Sequence, residues 1–133
     1  MEITLDEAKK VVAGAETKAK QISVPMNIAV VDVGGNLVAF ERMDKAWLGS
    51  INIAINKAFT AVAFNMTTEA LGKESQPGKS LFGIHATNLG RLVIFGGGIP
   101  LKKGGELVGA IGVSGGAVIQ DIEVAEAGVK AFK

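Results

Sequence analysis

Apolar residues recur at helical spacing from the start of the chain: Leu5, Ala8, Val11, Val12, Ala15, Ala19 and Ile22, with lysines and glutamates between them. Thr4 and Glu7 stand at the two positions of a capping box, where each side chain satisfies a free backbone N–H at a helix start. The pattern predicts a helix to about Gln21, with Pro25 barring any continuation. Two apolar, β-branched runs follow, Asn27 to Val33 and Leu37 to Arg42, joined through Gly34-Gly35. A Gly-Gly pair supplies the positive φ angles of a two-residue hairpin, so an antiparallel pair of strands is expected. Ile28 to Val31 is apolar without alternation, which implies cover on both faces of that strand, by a helix or by another subunit.

From Ser50 to about Asn65 alanines, isoleucines and phenylalanines occupy most of a helical circumference, with Asn52, Asn56 and Lys57 as polar exceptions. A helix this apolar is buried on several sides. Thr68 to Lys73 adds a helical turn, Gln76 to Lys79 is a loop, and Leu81 to Thr87 suits a short helix or a strand equally. Arg91 to Phe95, Ile99 to Leu101 and Leu107 to Val113 read as strands, the last two joined by a turn at Lys103-Gly104-Gly105. Val118, Ile122, Ala125, Val129 and Phe132 place a final helix against the sheet. This order of elements predicts a mainly antiparallel sheet with helices packed on it, an α+β fold, and not βαβ alternation.

Composition narrows the functions. A chain of 133 residues with 48% hydrophobic and 20% charged residues is most economically one globular domain over 1–133. A formal charge of +1, with no lysine cluster beyond Lys102-Lys103, gives no footprint for nucleic acid. The absence of cysteine excludes disulfides, thiolate metal sites and cysteine nucleophiles together. No apolar run approaches the roughly 18 residues that span a bilayer, and the N-terminus reads as an amphipathic helix, so a soluble cytoplasmic protein is expected. The 18 glycines fall in tight clusters between apolar runs and read as turns.

Several blocks occur in a distinctive order. They are Ile28-Ala-Val-Val-Asp-Val-Gly-Gly35, Phe40-Glu-Arg-Met-Asp44, Gly49-Ser50 leading to Ala54-Ile-Asn-Lys-Ala58, Gly90 to Pro100, and Gly109-Ala-Ile-Gly-Val-Ser-Gly-Gly116 with Gln120-Asp121. Together they resemble the GlcG/HbpS family, which includes the C-terminal domain of PduO-type proteins. The resemblance covers nearly the whole chain. It implies a profilin-like fold, a five-stranded antiparallel sheet flanked by helices, assembled into homo-oligomers. It also implies haem or iron as candidate ligands, and an association with catabolic pathways for glycolate, diols or aromatic compounds. One departure stands out. PduO-type members carry a haem-ligating histidine in the first helix, and here no histidine lies between Asp6 and Gln21. Many relatives also have histidine where this chain has Asn36.

His85, the single histidine, is thus the candidate metal ligand, since one neutral imidazole suffices to hold a haem iron; a histidine satisfied by a backbone group is the plainer alternative. Met26, Met43 and Met66 are further sulfur donors or core filler. Gly112-Val-Ser-Gly-Gly116 fits a G-x-S-x-G elbow that would expose Ser114 as a nucleophile, but the favoured reading makes Ser114 the cap of the last helix. Free N–H groups at that helix start would also receive a carboxylate. Gly96-Gly97-Gly98 lacks a dinucleotide fingerprint and marks a bend or a close backbone approach.

Asp32, Arg42, Asp44 and Lys57 form the main polar set. Asp32 closes an apolar strand and Lys57 lies on an apolar helix, places where a charge must be paired. A buried or intersubunit ion pair accounts for them structurally. Functionally, Arg42 and Lys57 with the Ser114 turn would grip a carboxylated ligand, haem or a smaller acid, between walls of Phe40, Phe82 and Phe95. Arg91 adds a cation beside the glycine-rich segment. A different class of function, a small catabolic enzyme, would use Asp32 or Asp44 near Lys57 for proton transfer on a carboxylated metabolite. A subunit serving assembly alone is a third.

Overall fold

Thr4 and Glu7 close the expected capping box: the Thr4 side chain accepts the Glu7 N–H, and Glu7 accepts the Thr4 N–H. Helix α1 (Leu5–Gln21) follows, then β1 (Asn27–Asp32), β2 (Leu37–Arg42), α2 (Gly49–Phe64), α3 (Thr68–Glu74), β3 (Gly98–Lys103), β4 (Glu106–Ser114) and α4 (Val118–Phe132) in a computed structural model that describes residues 1–133. Two 3-10 turns, Ile84–Ala86 and Asn88–Gly90, lie between α3 and β3.

The strands form one antiparallel sheet in the order β2-β1-β4-β3. It has four strands, not the expected five. Arg91 to Phe95, the missing strand, runs as irregular chain because positive φ angles at Asn88, Leu89, Gly90 and Gly97 break extension on both sides. Its backbone is held by helix side chains instead: the Val93 N–H donates to Thr60 Oγ1 at 3.1 Å. Arg91 stacks on the Phe59 ring at 3.7 Å and donates from Nε to Asn56. Nor is the first hairpin a two-residue turn. Residues 33–36 form the loop, with only Gly35 of its glycines at positive φ, and Asp32 Oδ1 accepts the N–H groups of Gly34 and Asn36 at 2.9 Å each. The second hairpin does turn on a glycine pair, Gly104 and Gly105, both at positive φ.

Helices α1 and α4 cover one face of the sheet, where Val11, Ala15, Ile28, Val30, Leu101, Ile111, Val113 and Val124 build the main core. Helix α2 covers the other face through Ala58, Ala61 and Val62 against Val31 and Ala110. Small residues let α2 sit almost on the strand backbone; a Cβ on Gly112 would overlap the Ala54 carbonyl. This explains the unalternating apolar run of β1, which is buried from both sides within a single chain.

Candidate functional site

Lys57 is fully buried, and its partner is Asp121 of α4, not Asp32. Nζ donates to Asp121 Oδ2 at 2.9 Å and to the Val113 carbonyl at 2.8 Å. The glycine triplet makes this possible. Gly97, at φ +129, passes so close that a Cβ would stand 2.6 Å from Nζ, while Gly98 lies against the Lys57 carbonyl and Gly96 against Ile122. The pair thus ties helices on opposite faces of the sheet around the end of β4. Burial pushes the Lys57 ammonium down, and the Asp121 charge offsets it. Burial likewise pushes the Asp121 carboxyl up, opposed by Lys57 and by the Gly116 and Gly115 N–H groups. Removing either member would strand the other's charge.

Asp121 also fills the helix start at which the sequence offers free N–H groups to a carboxylate. Its Oδ1 accepts the Gly116 N–H at 2.9 Å, and Gln120 Oε1 accepts the Ala117 N–H at 2.9 Å. Ser114 is not the cap. It is the last residue of β4, buried and paired in register with Asn27, and the cap position belongs to Ala117.

The other candidates divide among separate places. Asp32 builds the first hairpin turn. Arg42 and Asp44 are exposed beside Glu16, Lys20 and Glu41, in a groove between α1 and β2, where Arg42 reaches the Ala46 carbonyl. Phe40 lines the adjoining apolar part of that groove. Arg42 and Lys57 therefore share no pocket, and the expected joint grip on one carboxylate is not formed. An edge strand leaves Arg42 in solvent, while Gly97 and Gly98 leave room for Lys57 to reach Asp121 in the interior.

His85 and Phe95 do converge. They line one depression of about 370 Å³ between α2 and the 84–95 segment, with Asn52, Ile53, Asn56 and Leu92. Phe82 stands edge-on to His85, ring centres 6.4 Å apart, and is itself well exposed. Phe95 lies over the hidden Lys57 ammonium, 5.0 Å from its ring centre, so the ion pair fixes the ring that forms one wall. No charged residue lines the hollow; Arg91 is close by, held on Phe59 and Asn56. Exposed imidazole, aromatic edges and amides suit a flat organic guest.

The model of the family described as haem degrading protein HbpS-like matches residues 3–130. A 15.0 kDa protein from the dhaT–dhaS intergenic region of Citrobacter freundii is 46% identical over 130 residues, which is 98% of this chain and 92% of that protein. The corrinoid adenosyltransferase PduO of Citrobacter freundii is 37% identical over 132 residues, 99% of this chain but 39% of PduO. The crystal structure of a PduOC–haem complex superposes with a TM-score of 0.95 at 35% identity, over 98% of this chain and 95% of that one. This chain belongs to the HbpS-like family.

In this HbpS-like chain the α1–β2 groove holds a second unusual pair. Glu41 Oε2 is buried without a hydrogen-bond partner, and the carboxyl is pushed up to about 7, first by burial and then by the Glu16 carboxylate beside it. Glu16 is itself held low, first by Lys20 at 2.6 Å and then by Glu41. A folded-state value above the ordinary one means that Glu41 favours folding at low pH and that this contribution is lost as pH rises through about 7. The melting temperature is therefore expected to fall between about pH 4.5 and 7 and to level off above that, with Glu41→Gln flattening the decline and melting higher than wild type at the alkaline end. An unchanged slope in the Gln variant contradicts the assignment.

Asp121, Asn56 and the exposed Trp47 escaped the sequence-based selection. Asp121 carried a usable signal, since it shares a helical face with Val118, Ala125 and Val124, where an unpaired carboxylate is not tolerated.

Proposed function

We propose that this HbpS-like protein binds a small organic molecule, with haem as the leading ligand, in the depression between α2 and the 84–95 segment. The observation that carries this is the convergence of the only histidine with Phe95 on one uncharged hollow, with Phe82 at its edge. The donor set fits a haem on one side: His85 would offer one imidazole nitrogen to the iron, Ile53, Leu92 and Phe95 would give apolar contact, and Arg91, held on Phe59 beside the hollow, would be near a carboxylate. A hollow of about 370 Å³ open to solvent leaves part of such a guest uncovered. Leu48, Leu89 and Phe82 are 80%, 98% and 60% exposed, apolar surface that a second copy of the chain would cover; a homo-oligomer is part of the proposal. The PduOC–haem complex supports haem as the first ligand to try.

The enzyme alternative loses its support, because the Lys57 ammonium is sealed beneath Phe95 and Gly97 and Asp32 serves a turn. Haemin titration should give a shifted Soret band saturating near one haem per chain or per interface. His85→Ala should weaken binding about tenfold or more while leaving the melting temperature unchanged. A featureless titration removes haem, and an unaffected variant removes His85.

A further inference from the structure

The surface holds a second hollow of different chemistry, beside the β4–α4 turn. It measures about 410 Å³ and is lined by Ser23, Lys45, Trp47, Gly115, Gly116 and Gln120 among others. Of the five principal depressions it alone has a cation in its lining and no carboxylate: the two along α1–β2 and the one along α4 mix both signs, and the His85 hollow is uncharged. Lys45 forms no ion pair within the chain. Gln120 turns its oxygen to the Ala117 N–H, which leaves its amide nitrogen free to donate. The helix start is closed by Asp121 and Gln120, so the recognition of charge falls to Lys45.

Trp47, the only tryptophan, is 64% exposed here, although the backbone beneath it is anchored by fully buried Asn27, whose Nδ2 donates to the Trp47 carbonyl at 2.9 Å. Two of the lining residues, Ser23 at φ 58 and Lys45 at φ 71, adopt the left-handed conformation that side chains other than glycine rarely take. Strained backbone of this kind gathers at ligand clamps. An aromatic plate on a fixed backbone, a free ammonium and amide and hydroxyl donors are complementary to a flat ring bearing a negative charge.

We propose that this hollow is a second binding site, for a small aromatic carboxylate stacked on Trp47 with its charge on Lys45. It shares no lining residue with the His85 hollow, so the two proposals stand or fall separately.

The single tryptophan provides the readout. Titrating the full chain with benzoate should quench and shift its fluorescence along a saturating curve, with benzyl alcohol about tenfold weaker or worse. Lys45→Met, at an exposed position that leaves the fold intact, should weaken benzoate about tenfold, whereas His85→Ala should leave it unchanged. In Trp47→Phe, the amide resonances of Gly115 and Gly116 should still shift with benzoate but at higher concentrations. Quenching that stays linear, equal response to the alcohol, or wild-type affinity in Lys45→Met overturns the site.

Discussion

Lys57→Met is expected to lower the stability of the folded chain by about 3–5 kcal/mol, among the largest effects any single substitution will have here. Methionine fills most of the space of the lysine stem, so lost packing contributes little. The loss comes from Asp121, left almost wholly buried with a charge and only backbone donors to meet it. At this chain length a change of that size corresponds to a fall in melting temperature of roughly 10–20 °C. Replacing both members, Lys57→Met with Asp121→Leu, should recover much of the difference, because two apolar groups leave no stranded charge. Denaturant unfolding of the three proteins checks this. A single variant within about 1 kcal/mol of wild type would show that Asp121 relaxes or is neutral, and that the pair does not tie α4 to α2.

Gly112→Ala should cost about 3 kcal/mol or prevent folding at growth temperature, although it adds one methyl group. Built on the Gly112 backbone, that methyl overlaps the Ala54 carbonyl and lies 2.5 Å from the Ala58 nitrogen, and helix backbone cannot rotate away as a side chain would. Helix α2 must lift from β4, which loosens the Ala58, Ala61 and Val31 contacts together. Gly49→Ala is the matched control: nothing lies within 4 Å of its added carbon, and alanine is the better helix former in the first turn of α2. Thermal melts should separate the two variants widely. Similar melting temperatures would mean that the close approach of α2 to the sheet is soft.

Much of the architecture was legible because local chemistry and packing agree there. Thr4, Glu7 and the heptad-like spacing of alanines and valines define α1 without help from distant residues, and Gly104-Gly105 dictates the second hairpin. The failures lie where tertiary contacts outweigh propensity. Arg91 to Phe95 has the composition of a strand, yet Thr60, Asn56 and Phe59 of α2 hold it as irregular chain. Asp32 and Lys57 each needed a partner, but sequence cannot say which: Asp32 found the N–H groups of its own turn, and Lys57 crossed the sheet to Asp121. Of the candidate ligand residues, the structure gathers His85 and Phe95 into one hollow with Phe82 adjacent, and disperses Arg42, Asp44, Phe40 and Ser114 elsewhere. No periodicity records that Gly97 and Gly98 leave room for a lysine while Gly96 admits Ile122.

The ligand assignment meets its most direct test in an amide-resolved NMR spectrum recorded as paramagnetic haemin is added. Broadening that begins at residues 84–95 and spreads to Asn52, Ile53 and Asn56 is the expected result, with α1 and β2 still sharp. Loss of signal centred on Glu16, Lys20 and Glu41, or a spectrum that never changes, would place the ligand elsewhere and contradict the account.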